Sequence, residues 1–112
     1  MIHKLNLNPD PFNSIKSGRK TIEMRLFDER RQLICAGDHI IFINTVQPNL
    51  LLEVLVTNLY RYHSFYELYK HHDEASIGYL NGEVSDPKDM EEYYTPENIK
   101  KYGVVGIEVK LI

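Results

Sequence analysis

No helix-like segment in this chain runs beyond two or three turns before a glycine, a proline or a loss of period interrupts it. The segments between are short and strand-like. Asp10-Pro11 supplies an N-cap and a proline at the first helical position, Phe12 and Ile15 follow three apart, and Gly18 stops a two-turn helix. Ser64 to Glu67 has the form of a capping box, and Phe65, Leu68, Tyr69 and His72 after it keep helical spacing. Asp86-Pro87 and Thr95-Pro96 repeat the proline start, and Gly103 closes the second of these helices. Strands are expected at Ile2 to Leu7, from Thr21 to Leu26, at His39 to Ile43 and from Val104 to the end. Leu52 to Tyr62 is long enough to bend or bulge, as strands wrapping a small barrel do. Asp28 to Leu33 is expected to form a brief turn, and residues 73 to 86 a surface loop with one helical turn. With no regular strand-helix-strand crossover, the expectation is an α+β fold: a mixed or antiparallel β core with short peripheral helices.

A chain of 112 residues and 13.2 kDa with 43% hydrophobic and 26% charged residues is expected to form one domain, residues 1 to 112. Its longest unbroken apolar run is Ile40 to Ile43, so no membrane span is expected. The first residues lack the apolar run of a secretory signal, and the single cysteine, Cys35, has no internal partner. Both point to a reducing, cytoplasmic setting.

The net charge of −3 argues against indiscriminate coating of nucleic acid. Residues 1 to 31 nonetheless hold seven basic side chains (Lys4, Lys16, Arg19, Lys20, Arg25, Arg30, Arg31) against four acidic ones (Asp10, Glu23, Asp28, Glu29), a local surplus of three. An anionic ligand is therefore expected to approach the N-terminal third, and to be small or locally held.

Three cations and one carboxylate crowd into Gly18-Arg19-Lys20-Thr21-Ile22-Glu23-Met24-Arg25, at a helix-to-strand junction. With Ile22, Met24 and Leu26 turned to the core, Glu23 and Arg25 share the other, polar face, about 7 Å apart along the strand. Lys20 has the wrong parity and joins them only if the strand starts after it. Such a trio offers two anion-binding cations and an acceptor for N–H groups on a base. A solvated surface ion pair accounts for the same spacing.

Gly18-x-Lys20-x-x-Glu23-x-Arg25 resembles the G-x-K-x-x-E-x-R signature of the ASCH domain (activating signal cointegrator homology), in the PUA-like superfamily of small β-barrels. The resemblance extends to Pro11-Phe12, Ile15 to Gly18, Gly37-Asp38, Ser64-Phe65 with Leu68, Tyr93-Tyr94 and Tyr102 to Ile107. It implies a PUA-like barrel whose cleft beside the signature strand binds RNA or a nucleotide-like ligand, with Lys20, Glu23 and Arg25 at the site; Arg19 in the same cluster is a further binding candidate, and no cofactor is expected. A branch of the family hydrolyses N4-acetylcytidine with a lysine that activates a threonine, assisted by a downstream glutamate. Lys20 matches that lysine, but Glu23 stands at the threonine's position, and the downstream acid falls near Asp73 or Glu74. Thr21 is the nearest hydroxyl. A carboxylate is not an ordinary acyl acceptor, so binding leads, and an amidohydrolase using Lys20 and Glu23, the latter as base on water, is the alternative.

The aromatic and basic run from Tyr60 to His72 supplies second-tier contacts, Arg61, Tyr62 and Tyr66, while Phe65, Leu68 and His72 are expected in the core. The same run is also a candidate protein-interaction surface. His71, His72, Asp73 and Glu74 lack metal-ligand spacing, so no metal is expected, and Cys35 between Ile34 and Ala36 reads as a small buried apolar residue.

Overall fold

A computed structural model describes all residues 1–112. Five strands, β1 (Ile2–Leu7), β2 (Ile22–Leu26), β3 (His39–Asn44), β4 (Leu51–Tyr62) and β5 (Val104–Leu111), form one sheet in the order β1-β3-β4-β5-β2. Only β1 and β3 run parallel. Three α-helices accompany the sheet: α1 (Pro9–Lys16), α2 (Phe65–His71) and α3 (Pro96–Tyr102). Arg31–Leu33 and Pro87–Glu92 are 3-10 turns. This is the mixed α+β architecture with short peripheral helices that the sequence leads one to expect, with no helix long and apolar enough to cross a membrane.

The caps follow the sequence closely in three places. Ser64 Oγ accepts from the Glu67 amide at 3.3 Å, Thr95 Oγ1 from the Asn98 amide at 3.2 Å, and Asp86 Oδ1 from the Lys88 amide at 2.9 Å. Helix α1 differs: it starts at Pro9 with Asn8 as N-cap, not at Asp10. The first-turn amides of a helix have no partner inside it, so both Pro9 and Pro11 fit there, and the first helical bond runs from the Phe12 amide to Asn8 O. The long strand β4 is bulged, as its length suggests, between Val56 and Asn58.

Two apolar clusters sit on opposite sides of β5. Val105, Ile107 and Val109 face Leu5, Phe42, Val54 and the helix α1 residues Phe12 and Ile15 within the curl of the sheet. Val104 faces Ile22, Met24, Leu26, Phe65, Leu68, Ile77 and Met90 beneath α2 and the second 3-10 turn. Antiparallel partners share a face, and β2 pairs Glu23 with Ile107 and Arg25 with Val105. The polar face of β2 is therefore turned into the curl, not out to solvent. Ile22, Met24 and Leu26 are core residues as expected, but of the smaller cluster.

The edges of the sheet, β1 and β2, do not pair by backbone. Side chains bridge the gap: Arg25 Nη2 donates to Asn6 O at 2.7 Å, and Arg30 Nη2 to Lys4 O at 2.9 Å. These arginines cap carbonyls that β1 leaves unpaired at its free edge and stand in for the backbone hydrogen bonds of a closed barrel.

Candidate ligand cleft

The open side between β1 and β2 forms a cleft of about 610 Å3. The signature strand supplies its charged floor. Lys20 Nζ lies 2.8 Å from Glu23 Oε1, and Arg25 Nε lies 2.7 Å from Glu23 Oε2. Lys20 and Glu23 are 7% and 4% exposed, which rules out the freely solvated ion pair that spacing alone allowed. Lys20 joins the pair because β2 begins only at Ile22. Its amide is held by Ser14 O at 3.0 Å.

The segment after α2 is a roof over this floor and not merely a surface loop. Ser76 O accepts from the Thr21 and Ile22 amides at 3.0 and 2.9 Å, and Ile77 is buried. Gly78, at φ +111°, lies against the Lys20 stem, where an added Cβ would meet Cδ at 3.1 Å. A side chain there would be strained by its backbone and would displace the lysine.

The two oxygens of Glu23 each meet one cation, and the trio carries a net charge of +1. Lys20 keeps two further N–H donors, and Arg25 its Nη1, without protein partners. Burial pushes the Glu23 carboxyl up, but the ammonium and guanidinium beside it outweigh that and hold it below the usual 4.5. For Arg25, burial lowers the pKa and the Glu23 carboxylate more than restores it. A carboxyl depressed by folding stabilises the fold fully above its ordinary value, and that contribution disappears as pH falls through the depressed value. Urea midpoints should therefore hold steady from neutral pH to about the ordinary 4.5 and drop below it, and the drop should be smaller in Glu23→Gln. Equal acid sensitivity in the two proteins would contradict the ion-paired state.

Four tyrosines that the sequence did not mark as site residues, Tyr69, Tyr79, Tyr93 and Tyr94, wall the cleft. Tyr69 and Tyr79 meet edge to face, with centroids 5.9 Å apart. Their hydroxyls are 2.9 Å apart, and Tyr79 donates to Asp89 Oδ2 at 2.7 Å. As Asp89 can only accept, Tyr69 donates in turn to Tyr79. Tyr94 stacks on Phe65 at 6.0 Å, and burial raises its phenol pKa against the pull of Arg25. The raised phenols of Tyr69, Tyr79 and Tyr94 stay protonated at neutral pH. The only advance signals were the eight tyrosines in the chain and the Tyr93-Tyr94 pair, neither of which carries a position in space.

Arg19 reaches the cleft rim, its Nε 3.1 Å from Ser17 Oγ. Arg61, Tyr62 and Tyr66 do not line this cleft. Arg61 and Tyr62 border a separate one, and Tyr66 is an exposed position on α2. His72 is half-buried, bonding Tyr62 at 2.9 Å, not a core residue like Phe65 and Leu68, and Cys35 is exposed where its neighbour Ile34 takes the core position. Asp73 and Glu74 lie outside the cleft too, with Asp73 occupied by the Ser76 amide at 3.0 Å. The nearby acids are instead Asp10, Glu83 and Asp89. Thr21, the nearest hydroxyl along the chain, is absent from the lining, whose aliphatic hydroxyls are instead those of Ser14 and Thr45. With these acids, the four carboxylates of the lining outnumber its three cations. The positive floor thus lies under an acidic rim that charge counting by segment did not show.

The ASCH domain profile matches residues 5–112. The chain belongs to the ASCH domain family. The crystal structure of the hypothetical protein PH0355 aligns with this ASCH domain over the whole of both chains, at 34% identity and a TM-score of 0.84. The solution NMR structure of protein PF0455 from Pyrococcus furiosus aligns over all of this chain and 98% of that one, at 32% identity and a TM-score of 0.75. ASCH from Zymomonas mobilis shares the fold at 15% identity and a TM-score of 0.58, over 97% of this chain and 66% of that one. No curated protein matches.

Proposed function

We propose that this ASCH domain binds a single nucleobase, free as a nucleoside or carried in RNA, in the cleft between β1 and β2. The observation that carries the reading is the combination of the partly unused donors of Lys20 and Arg25 at the floor with the tyrosine wall beside them. A base has carbonyl and ring acceptors for the floor, N–H donors for carboxylates, and a flat face for aromatic contact. The acidic rim disfavours a run of phosphates entering the same space.

Hydrolysis of an N4-acylated cytidine is the alternative, and the geometry favours it less. Glu23 is ion-paired on both oxygens and held below its ordinary pKa, which weakens it as a base toward water at neutral pH.

A thermal-shift panel of nucleosides, N4-acetylcytidine and short single-stranded RNAs, with chromatography of each mixture, tests both. A ligand at ten times its Kd adds about 1.4 kcal/mol, a rise of several degrees in Tm for a domain of this size. We expect such a rise with at least one base-containing ligand, its loss in Lys20→Met, and no released cytidine. No shift across the panel, or a shift that Lys20→Met retains, would overturn the reading. Lys20-dependent release of cytidine would move the protein to the hydrolase branch.

A further inference from the structure

A second cleft, of about 520 Å3, has the opposite electrostatic character. It is bordered by Phe27, Arg61, His63, Lys100, Lys101 and Tyr102, and no carboxylate lines it. The Arg61 guanidinium carbon sits 4.1 Å from the centroid of the Phe27 ring, and Lys101 Nζ lies 5.0 Å from that of Tyr102. Aromatic faces hold these cations in place without neutralising them. Each carboxylate that forms an ion pair takes a different partner, so Arg61, Lys100 and Lys101 all remain uncompensated. In a chain of net charge −3, three free cations converging on one acid-free concavity suit a ligand with full negative charges.

The two clefts take residues close along the chain at the end of β2. Phe27 follows Arg25 by two residues, about 7 Å of extended chain. Its amide donates to Gly103 O at 3.0 Å, which ties this corner of the second cleft to the end of β2. A base at the Lys20–Glu23–Arg25 floor therefore has an anion-binding surface close by for the backbone leading away from it.

We infer that Arg61, Lys100 and Lys101 form a phosphate-binding track for single-stranded RNA, so that the ligand of the first cleft is a nucleotide within a strand. The inference rests on the nucleobase reading and goes beyond it in choosing a polynucleotide over a free nucleoside. Neutralising three phosphates of a single strand contributes a salt slope, in log K against log salt, of about −2.

The test is fluorescence anisotropy of a short fluorescein-labelled single-stranded RNA over a series of salt concentrations, beside nucleoside thermal shifts. Relative to wild type, the triple variant Arg61→Gln, Lys100→Gln, Lys101→Gln should lose at least about tenfold in RNA affinity and flatten the slope by about 2, while nucleoside shifts stay unchanged. Lys100→Glu with Lys101→Glu, at exposed helix positions, gives the same answer if removing Arg61 from Phe27 disturbs folding. Inorganic phosphate at matched ionic strength is the control. RNA affinity and slope that both variants leave at wild-type values would overturn the track, as would stabilisation by phosphate with no binding of RNA. If Lys20→Met leaves RNA binding intact while the triple variant removes it, the nucleobase reading fails and the phosphate track stands.

Discussion

Glu23→Ala is expected to destabilise the protein by about 3–5 kcal/mol, read as a fall in the urea midpoint at neutral pH. The loss comes from what remains and not only from what is removed: Lys20, buried, and Arg25, largely so, stay together as like charges with their shared counter-ion gone. A domain of this size holds about 5–15 kcal/mol in all, so a large part of its stability is at stake. Glu23→Gln keeps shape and acceptor capacity on one oxygen and should lie between alanine and wild type. A loss below about 1 kcal/mol for Glu23→Ala would mean that water reaches and screens the trio as it would on an open surface.

Arg25→Lys is the second large effect, although it keeps the charge. The guanidinium uses two nitrogens at once, Nε toward Glu23 and Nη2 toward Asn6 O. A lysine ammonium is a single point on a flexible stem and cannot hold both in that geometry. The variant therefore loses the β1 to β2 bridge or the Glu23 contact, and leaves a buried acceptor with one partner fewer. We expect a cost of about 1–3 kcal/mol and at least a tenfold loss of ligand affinity. Hydrogen exchange should show faster opening at β1, where only the Lys4 carbonyl, bound by Arg30, would then keep its side-chain partner. Wild-type stability and exchange in Arg25→Lys would show that the edges of the sheet stay together without this bridge.

Much of the fold was legible because its signals are local. Proline starts, glycine stops and capping hydroxyls act through backbone groups within four residues, so Thr95 and Ser64 were readable as caps. The same locality misplaced the start of α1, where two prolines and two capping residues compete within four positions. The period of two in β2 correctly separated Ile22, Met24 and Leu26 from Glu23 and Arg25, but a period says only that two faces differ. Which face meets solvent was decided by the register with β5 and by the core that α2 lays over the apolar side.

The candidate site divides in the same way. Lys20, Glu23 and Arg25 were named because one short segment carries all three, and Arg19 with them. The tyrosine wall and the acidic rim come from residues 69 to 94, which reach the cleft only after Ser76 clips onto Thr21 and Ile22. Arg61 and Tyr62 were grouped with the first cleft because aromatic and basic residues alternate around them, yet β4 and β5 carry them to another one.

The sequence by itself determined the family, the short elements with most of their ends, and the charged trio, since each is written in residues a few positions apart. Tertiary structure decided that the trio is largely buried, that tyrosines stand beside it, and that Arg61, Lys100 and Lys101 border a separate cleft. Those outcomes depend on strands and loops distant in the chain meeting across a curled sheet, where burial and charge are set by neighbours in space.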